Sequence, residues 1–119
     1  MKHQNLKDRT QKFALDVIRF VEGLAPNETC KILGRQLLRA GTSVGANYRA
    51  VCRARSKADF ISKMGVVLEE ADESAFWIEL LTADGKTTVR QSASLLREAN
   101  ELVAIAVSSI NTARQNADD

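Results

Sequence analysis

A single proline, Pro26, interrupts the 119 residues, and its isolation constrains the fold more than any other feature. Proline fixes φ and removes an amide donor, so it breaks helices. On either side of Pro26 nothing forbids long, uninterrupted helix. The apolar residues use that freedom, recurring three and four apart in every segment, the spacing that lines one helix face.

Four helices follow from this pattern. The first spans about Asp8 to Leu24, with Phe13, Val17, Phe20, Val21 and Leu24 on one face. Gly23, Pro26 and Asn27 then punctuate the chain. The second spans about Glu28 to Arg55, its seam formed by Cys30, Leu33, Leu37, Ala40, Val44, Asn47 and Val51. Gly34, Gly41 and Gly45 weaken it by up to ~1 kcal/mol each, and the stretch 41–45 is predicted to bend or make a close contact. The third starts at Ser56, where Ser56-Lys57-Ala58-Asp59 has the form of a capping box with Asp as its acid. Its seam is Phe60, Met64, Val67, Ala71, Ser74, Ile78 and Leu81, and Asp84-Gly85 closes it with glycine as a left-handed cap. The fourth starts at Thr87 or Thr88, with Val89, Leu96, Ala99, Val103, Ala106 and Ile110 inward. No segment has the alternation of a strand. The predicted fold is all-α, an antiparallel up-down four-helix bundle formed by residues 1–119 as one domain. Its core covers about 8–113, and the tail Asn116–Asp119 frays.

Most chemistry is excluded by missing residue types. The one histidine, His3, lies in an N-terminus read as flexible. That removes a bundle-core di-iron site, a zinc site and a histidine-activated nucleophile. No Gly-rich phosphate loop is present. The acidic run Glu69-Glu70-Ala71-Asp72-Glu73 fans around its helix and fits a solvated face. Cys30 and Cys52 fall ~33 Å apart along one helix, beyond disulfide reach, so both are free thiols serving as small buried apolar residues in a reducing compartment. No signal peptide or membrane span is evident. The expectation is a cytoplasmic protein that is not an enzyme, with no cofactor, metal, small-molecule substrate or membrane partner.

Two surfaces remain. The net charge of +2 conceals a strongly basic stretch, 1–63, followed by an acidic one, 64–119. On a helical wheel, Lys31, Arg35, Arg39, Arg49 and Arg53 share a stripe of about 80° opposite the apolar seam, with Lys57 following. Such a ladder suits phosphate contacts; it equally suits a solvated face, or pairing with acids of a neighbouring helix or subunit. Aromatics do not interleave with it, apart from Tyr48 nearby, so base stacking is not indicated. On helix three Phe76, Trp77 and Leu80 fall off the seam, as an oligomer interface does or as residues covered by another part of the chain do. Asn47 lies on the seam of helix two with Arg39 and Ser43 on the same side, a trio suited to a local hydrogen-bond network.

The run Leu38-Arg39-Ala40-Gly41-Thr42-Ser43-Val44-Gly45-Ala46-Asn47 resembles a known signature, Arg-Ala-x-x-Ser-x-x-x-Asn. The segments Lys57-Ala58-Asp59-Phe60-Ile61 and Leu68-Glu69-Glu70-Ala71-Asp72-Glu73-Ser74 resemble its companion on helix three. The family is that of the four-helix bundle proteins encoded in 23S ribosomal RNA intervening sequences, and the chain is similar also to the accessory protein of diversity-generating retroelements. The resemblance, over about 8–110, implies an antiparallel bundle assembled as a homopentamer, without catalytic activity. It also implies binding of RNA or DNA through a basic surface and, for the retroelement branch, a reverse transcriptase partner. Arg39, Ser43 and Asn47 match signature positions. Where many members continue Ile-Ala-Glu-Gly, this chain has Tyr48-Arg49-Ala50-Val51, which adds positive charge. The expected function is a non-enzymatic oligomeric bundle binding RNA or DNA electrostatically; the alternative is an assembly scaffold or protein accessory factor.

Overall fold

The computed structural model describes residues 2–116, with side chains from Asn5 onward. The side chain of His3 and the tail segment 117–119, both expected to be flexible, lie outside the described residues. Four helices, α1 (Lys2–Glu22), α2 (Glu28–Val51), α3 (Lys57–Ala83) and α4 (Val89–Gln115), run antiparallel through short connections. They form an all-α four-helix bundle, a rod of 52 × 23 × 20 Å. Each helix packs closely on its chain neighbour, whereas α1 and α4 meet loosely. Arg9 spans that gap, binding Glu98 through two nitrogens at 2.7 and 3.1 Å and Glu101 at 2.9 Å. The two acids, Glu98 foremost, hold its guanidinium further into the charged form.

The helix ends follow from local chemistry. Asn27, Ser56 and Thr88 each adopt extended backbone and accept the amide of the third residue on, Cys30, Asp59 and Gln91, satisfying donors that have no partner inside the helix. The predicted capping box is half formed. Ser56 accepts from Asp59, but the Asp59 carboxylate reaches one residue further back, to the Arg55 amide at 3.1 Å. At the other end of α3, Gly85 takes φ +76°. The amide of Lys86 bonds to Leu81 O and that of Gly85 to Thr82 O, the paired closure of a Schellman motif.

The core differs from the predicted seams at identifiable places. Helix α1 begins earlier than Asp8, and α2 ends at Val51 rather than Arg55. At 41–45 helix α2 continues unbroken, and its glycines make the close contact expected there. A Cβ at Gly34 would lie 3.2 Å from Val21 Cγ1, and one at Gly45 would lie 3.4 Å from Thr10. Tyr48, placed by its sequence beside the basic stripe, is instead in the core at 1 % exposure, while Asn47 is only half-buried. Burial pushes the Tyr48 phenol well above its ordinary value, aided by its hydrogen bond with Cys52. In α4 the inward line is Ser92, Leu95, Ala99, Leu102, Ala106 and Ile110. Leu96 and Val103 stand on its edge, and Val89, assigned to the seam, is 71 % exposed. The rotation buries Ser92 as well, and its hydroxyl is satisfied there by Thr82 Oγ1 at 3.0 Å and Thr88 O at 2.9 Å. Of the two cysteines, Cys30 is buried but Cys52 is exposed, because α2 ends before it.

Candidate nucleic-acid interface

The cations of the predicted stripe have different fates. Lys31, Arg35, Arg49 and Arg53 are exposed on α2 and its C-terminal turn. Among the described residues their side chains make no ion pair. Arg39, at the centre, is engaged within the chain. One nitrogen lies 3.4 Å from Glu70, and the other pairs with Glu73. Glu73 also accepts the Trp77 indole N–H at 3.0 Å. Arg39 is therefore a clasp between α2 and α3 rather than an unengaged cation. The acidic run is correspondingly not one solvated face: Glu69 and Asp72 are exposed, whereas Glu70 and Glu73 are half-buried against Arg39. Lys57 donates to the Asn116 carbonyl at the end of α4, where a cation complements the helix dipole.

With Arg39 paired, the stripe divides. Lys31 and Arg35 stand near the start of α2. Arg49 and Arg53 lie ~21 Å or more beyond Arg35 along the helix axis. The chain adds two cations to this second group that a single-helix wheel does not contain. Arg55, exposed in the α2–α3 connection, shares a hollow with Arg53 and Ser56. Lys7, exposed on α1, shares one hollow with Arg49 and another with Arg55. Only the antiparallel packing brings α1 beside the end of α2, so Lys7 carried no local signal. Arg55 was visible as a charge but lay outside the stripe.

The signature residues hold the helix together locally. Ser43 Oγ donates to Arg39 O at 2.7 Å, and Asn47 Nδ2 donates to Ser43 O at 2.8 Å. These side chains bond to their own helix backbone one turn back. On α3, Phe76 is 51 % and Leu80 37 % exposed. Trp77 is half-buried against the core and meets Phe76 edge-on at 5.0 Å between ring centroids. Ile32 on α2, 46 % exposed, falls at about the same level of the rod by the register that the Arg39–Glu73 pair sets. Among the described residues no three His, Cys, Asp or Glu side chains converge on a metal position, and no helix is long and apolar enough to cross a membrane.

The chain matches the family model described as 23S rRNA-intervening sequence protein over residues 2–108. It is 34 % identical to a protein of unknown function from the S23 ribosomal protein family of Bacteroides thetaiotaomicron, known from a crystal structure. The match covers 88 % of this chain and 97 % of that one with a TM-score of 0.82. Neither description names a reaction. No curated protein matches the chain. Family match and shared architecture agree over nearly the whole length, and the chain belongs to the 23S rRNA-intervening sequence protein family.

Proposed function

We propose that this protein is a non-catalytic nucleic-acid-binding bundle that contacts RNA or DNA phosphates electrostatically and acts as a homo-oligomer. The observation that carries the reading is the separation of paired from unpaired cations. Arg9, Arg39 and Lys63 are bound to carboxylates within the chain, while Lys31, Arg35, Arg49, Arg53 and Arg55 are exposed without ion-pair partners among the described residues. Unpaired guanidinium groups on a rigid scaffold suit phosphate oxygens, which they bind as planar forks. Binding of this kind releases counterions, so affinity should fall steeply and log-linearly with salt. Fluorescence anisotropy with a labelled RNA across a salt series tests it, and an affinity that stays flat between low and moderate salt would sink the reading.

A second reading, a protein assembly scaffold, is favoured by the exposed Phe76 and Leu80 beside half-buried Trp77. Under it basic and acidic faces pair between subunits, so Arg49→Glu should disrupt the oligomer rather than nucleic-acid binding; a stable parent oligomer without affinity for any polyanion supports the scaffold over the nucleic-acid reading.

A further inference from the structure

The antiparallel arrangement gathers the α1 start, the α2 end, the α3 start and the α4 end at one tip of the rod. Unpaired cations concentrate there. Arg49 comes from α2, Arg53 and Arg55 from the α2–α3 connection, and Lys7 from α1; all are exposed. The acids of this end among the described residues are Asp8 and Asp59. Asp59 is committed to Lys63 at 2.8 Å and to the Arg55 amide at 3.1 Å, and Asp8 has an interaction of its own.

The tip is also concave. Three adjoining hollows run around it. One holds Lys7 and Arg49 together with Asp8, the next Lys7 and Arg55 with no acid, and the third Arg53, Arg55 and Lys63 together with Asp59. The middle hollow has a different character from the others. Val51, Ala54 and Phe60 line it together with the two cations, and Phe60 is half-buried against the core. An aromatic ring in a hollow flanked by cations suits an unpaired base whose flanking phosphates meet the cations.

We infer that the tip is a single-strand site, with Lys7, Arg49, Arg53 and Arg55 following the sugar–phosphate backbone and the Phe60 hollow receiving one unstacked base. This rests on the nucleic-acid reading above and specifies its ligand. A duplex keeps its bases paired and stacked, so it gains nothing from an apolar hollow. It is also stiff, whereas the three hollows are lined in turn from α1, the end of α2 and the start of α3. A flexible strand can follow all three hollows. The earlier absence of aromatics from the basic stripe is thereby resolved: the ring comes from α3, across the connection from the cations.

The test compares the full chain's affinity for a short oligouridine with that for a blunt RNA duplex of equal phosphate number, at one salt concentration. The single strand should bind more tightly. Arg53→Glu with Arg55→Glu should lower that affinity about tenfold or more, while Lys31→Glu with Arg35→Glu at the far end of α2 should have a much smaller effect. Phe60→Leu, which keeps an apolar side chain toward the core, should weaken oligouridine about fivefold or more and leave the duplex unchanged. Because Phe60 also packs, a 4-thiouridine crosslink to the unaltered protein supplies an independent readout, expected in the peptide that carries Phe60. Equal affinity for strand and duplex would overturn the base hollow. Loss on reversing Lys31 and Arg35 with the tip reversal silent, or crosslinks confined to 31–39, would overturn the tip while leaving nucleic-acid binding intact. No binding of either RNA would overturn both.

Discussion

Gly41 on α2 lies so close to Val17 on α1 that a Cβ added there would stand 2.8 Å from Val17 Cγ2 and 2.9 Å from Cγ1. Val17 is fully buried and, being β-branched, has little rotamer freedom with which to yield. Replacing Gly41 by Ala improves helix propensity by up to ~1 kcal/mol, whereas overpacking a tight core costs about 1–3 kcal/mol. The clash should win, and Gly41→Ala should destabilise by about 1–2 kcal/mol. Gly65 on α3 is the control, since a Cβ there meets nothing within 4 Å. Gly65→Ala should stabilise by about 0.5–1 kcal/mol. Urea unfolding of both variants checks the pair, and equal signs would refute the packing argument.

Asp59 gives a pH prediction with a definite sign. Its carboxyl is held below the ordinary 3.8, first by Lys63 and then by the Arg55 amide. A group whose folded value is depressed contributes stability above its unfolded value, and that contribution is lost as pH falls through the folded value. Asp59→Asn should therefore lower Tm by a constant amount above about pH 5, and the gap to the parent protein should close toward strong acid. Thermal unfolding across pH measures this. A gap that widens in acid would show that Asp59 does not act as an ionised cap.

Much of the fold was legible because each helix carries its own signals. Pro26, the caps Asn27 and Ser56, and the Asp84–Gly85 stop all act over a few residues, and they set boundaries that hold to within a few positions. What sequence periodicity could not fix was rotation. Leu95 and Leu96 are both apolar, and the two candidate faces overlap; packing turns Leu95 inward with Ala99, Leu102, Ala106 and Ile110, and the Ser92 hydroxyl on that face is satisfied by Thr82 on α3. The basic surface was legible as residue types but not as an assembly. A wheel for α2 alone cannot show that Arg39 meets Glu73, or that Lys7 arrives from α1 to stand beside Arg49 and Arg55. Both facts are tertiary: the first divides the stripe into two unpaired groups, and the second enlarges the group at the end of α2.

The two thiols should differ sharply in reactivity. Cys30 is 3 % exposed, whereas Cys52, at the C-terminus of α2, is exposed. A disulfide reagent in excess should modify Cys52 quickly in the folded protein and Cys30 only through unfolding of the surrounding helix. Their rates should differ by about a hundredfold or more and converge in denaturant. Mass spectrometry of the labelled peptides identifies each site, and similar rates in native buffer would contradict the observed end of α2.

Self-association should depend on the outer face of α3. Phe76 at 51 % and Leu80 at 37 % exposure pack little within the chain, so charged replacements there spare the core. Apolar surface of this size costs about 25 cal/mol per Å² when left in water, and aromatic residues commonly anchor interfaces. Phe76→Asp and Leu80→Glu should each shift a homo-oligomer toward smaller species without lowering helix content. Light scattering coupled to size exclusion reads the mass, and Trp77, the protein's one tryptophan, reads the interface directly. Its ring lies against Phe76, so dissociation on dilution should shift its emission to the red as water reaches it. The same Trp77 shift on dilution should be absent from the two charged variants, which start dissociated. If mass and emission of the variants match those of the parent at every concentration, the α3 face is not where copies of this chain meet.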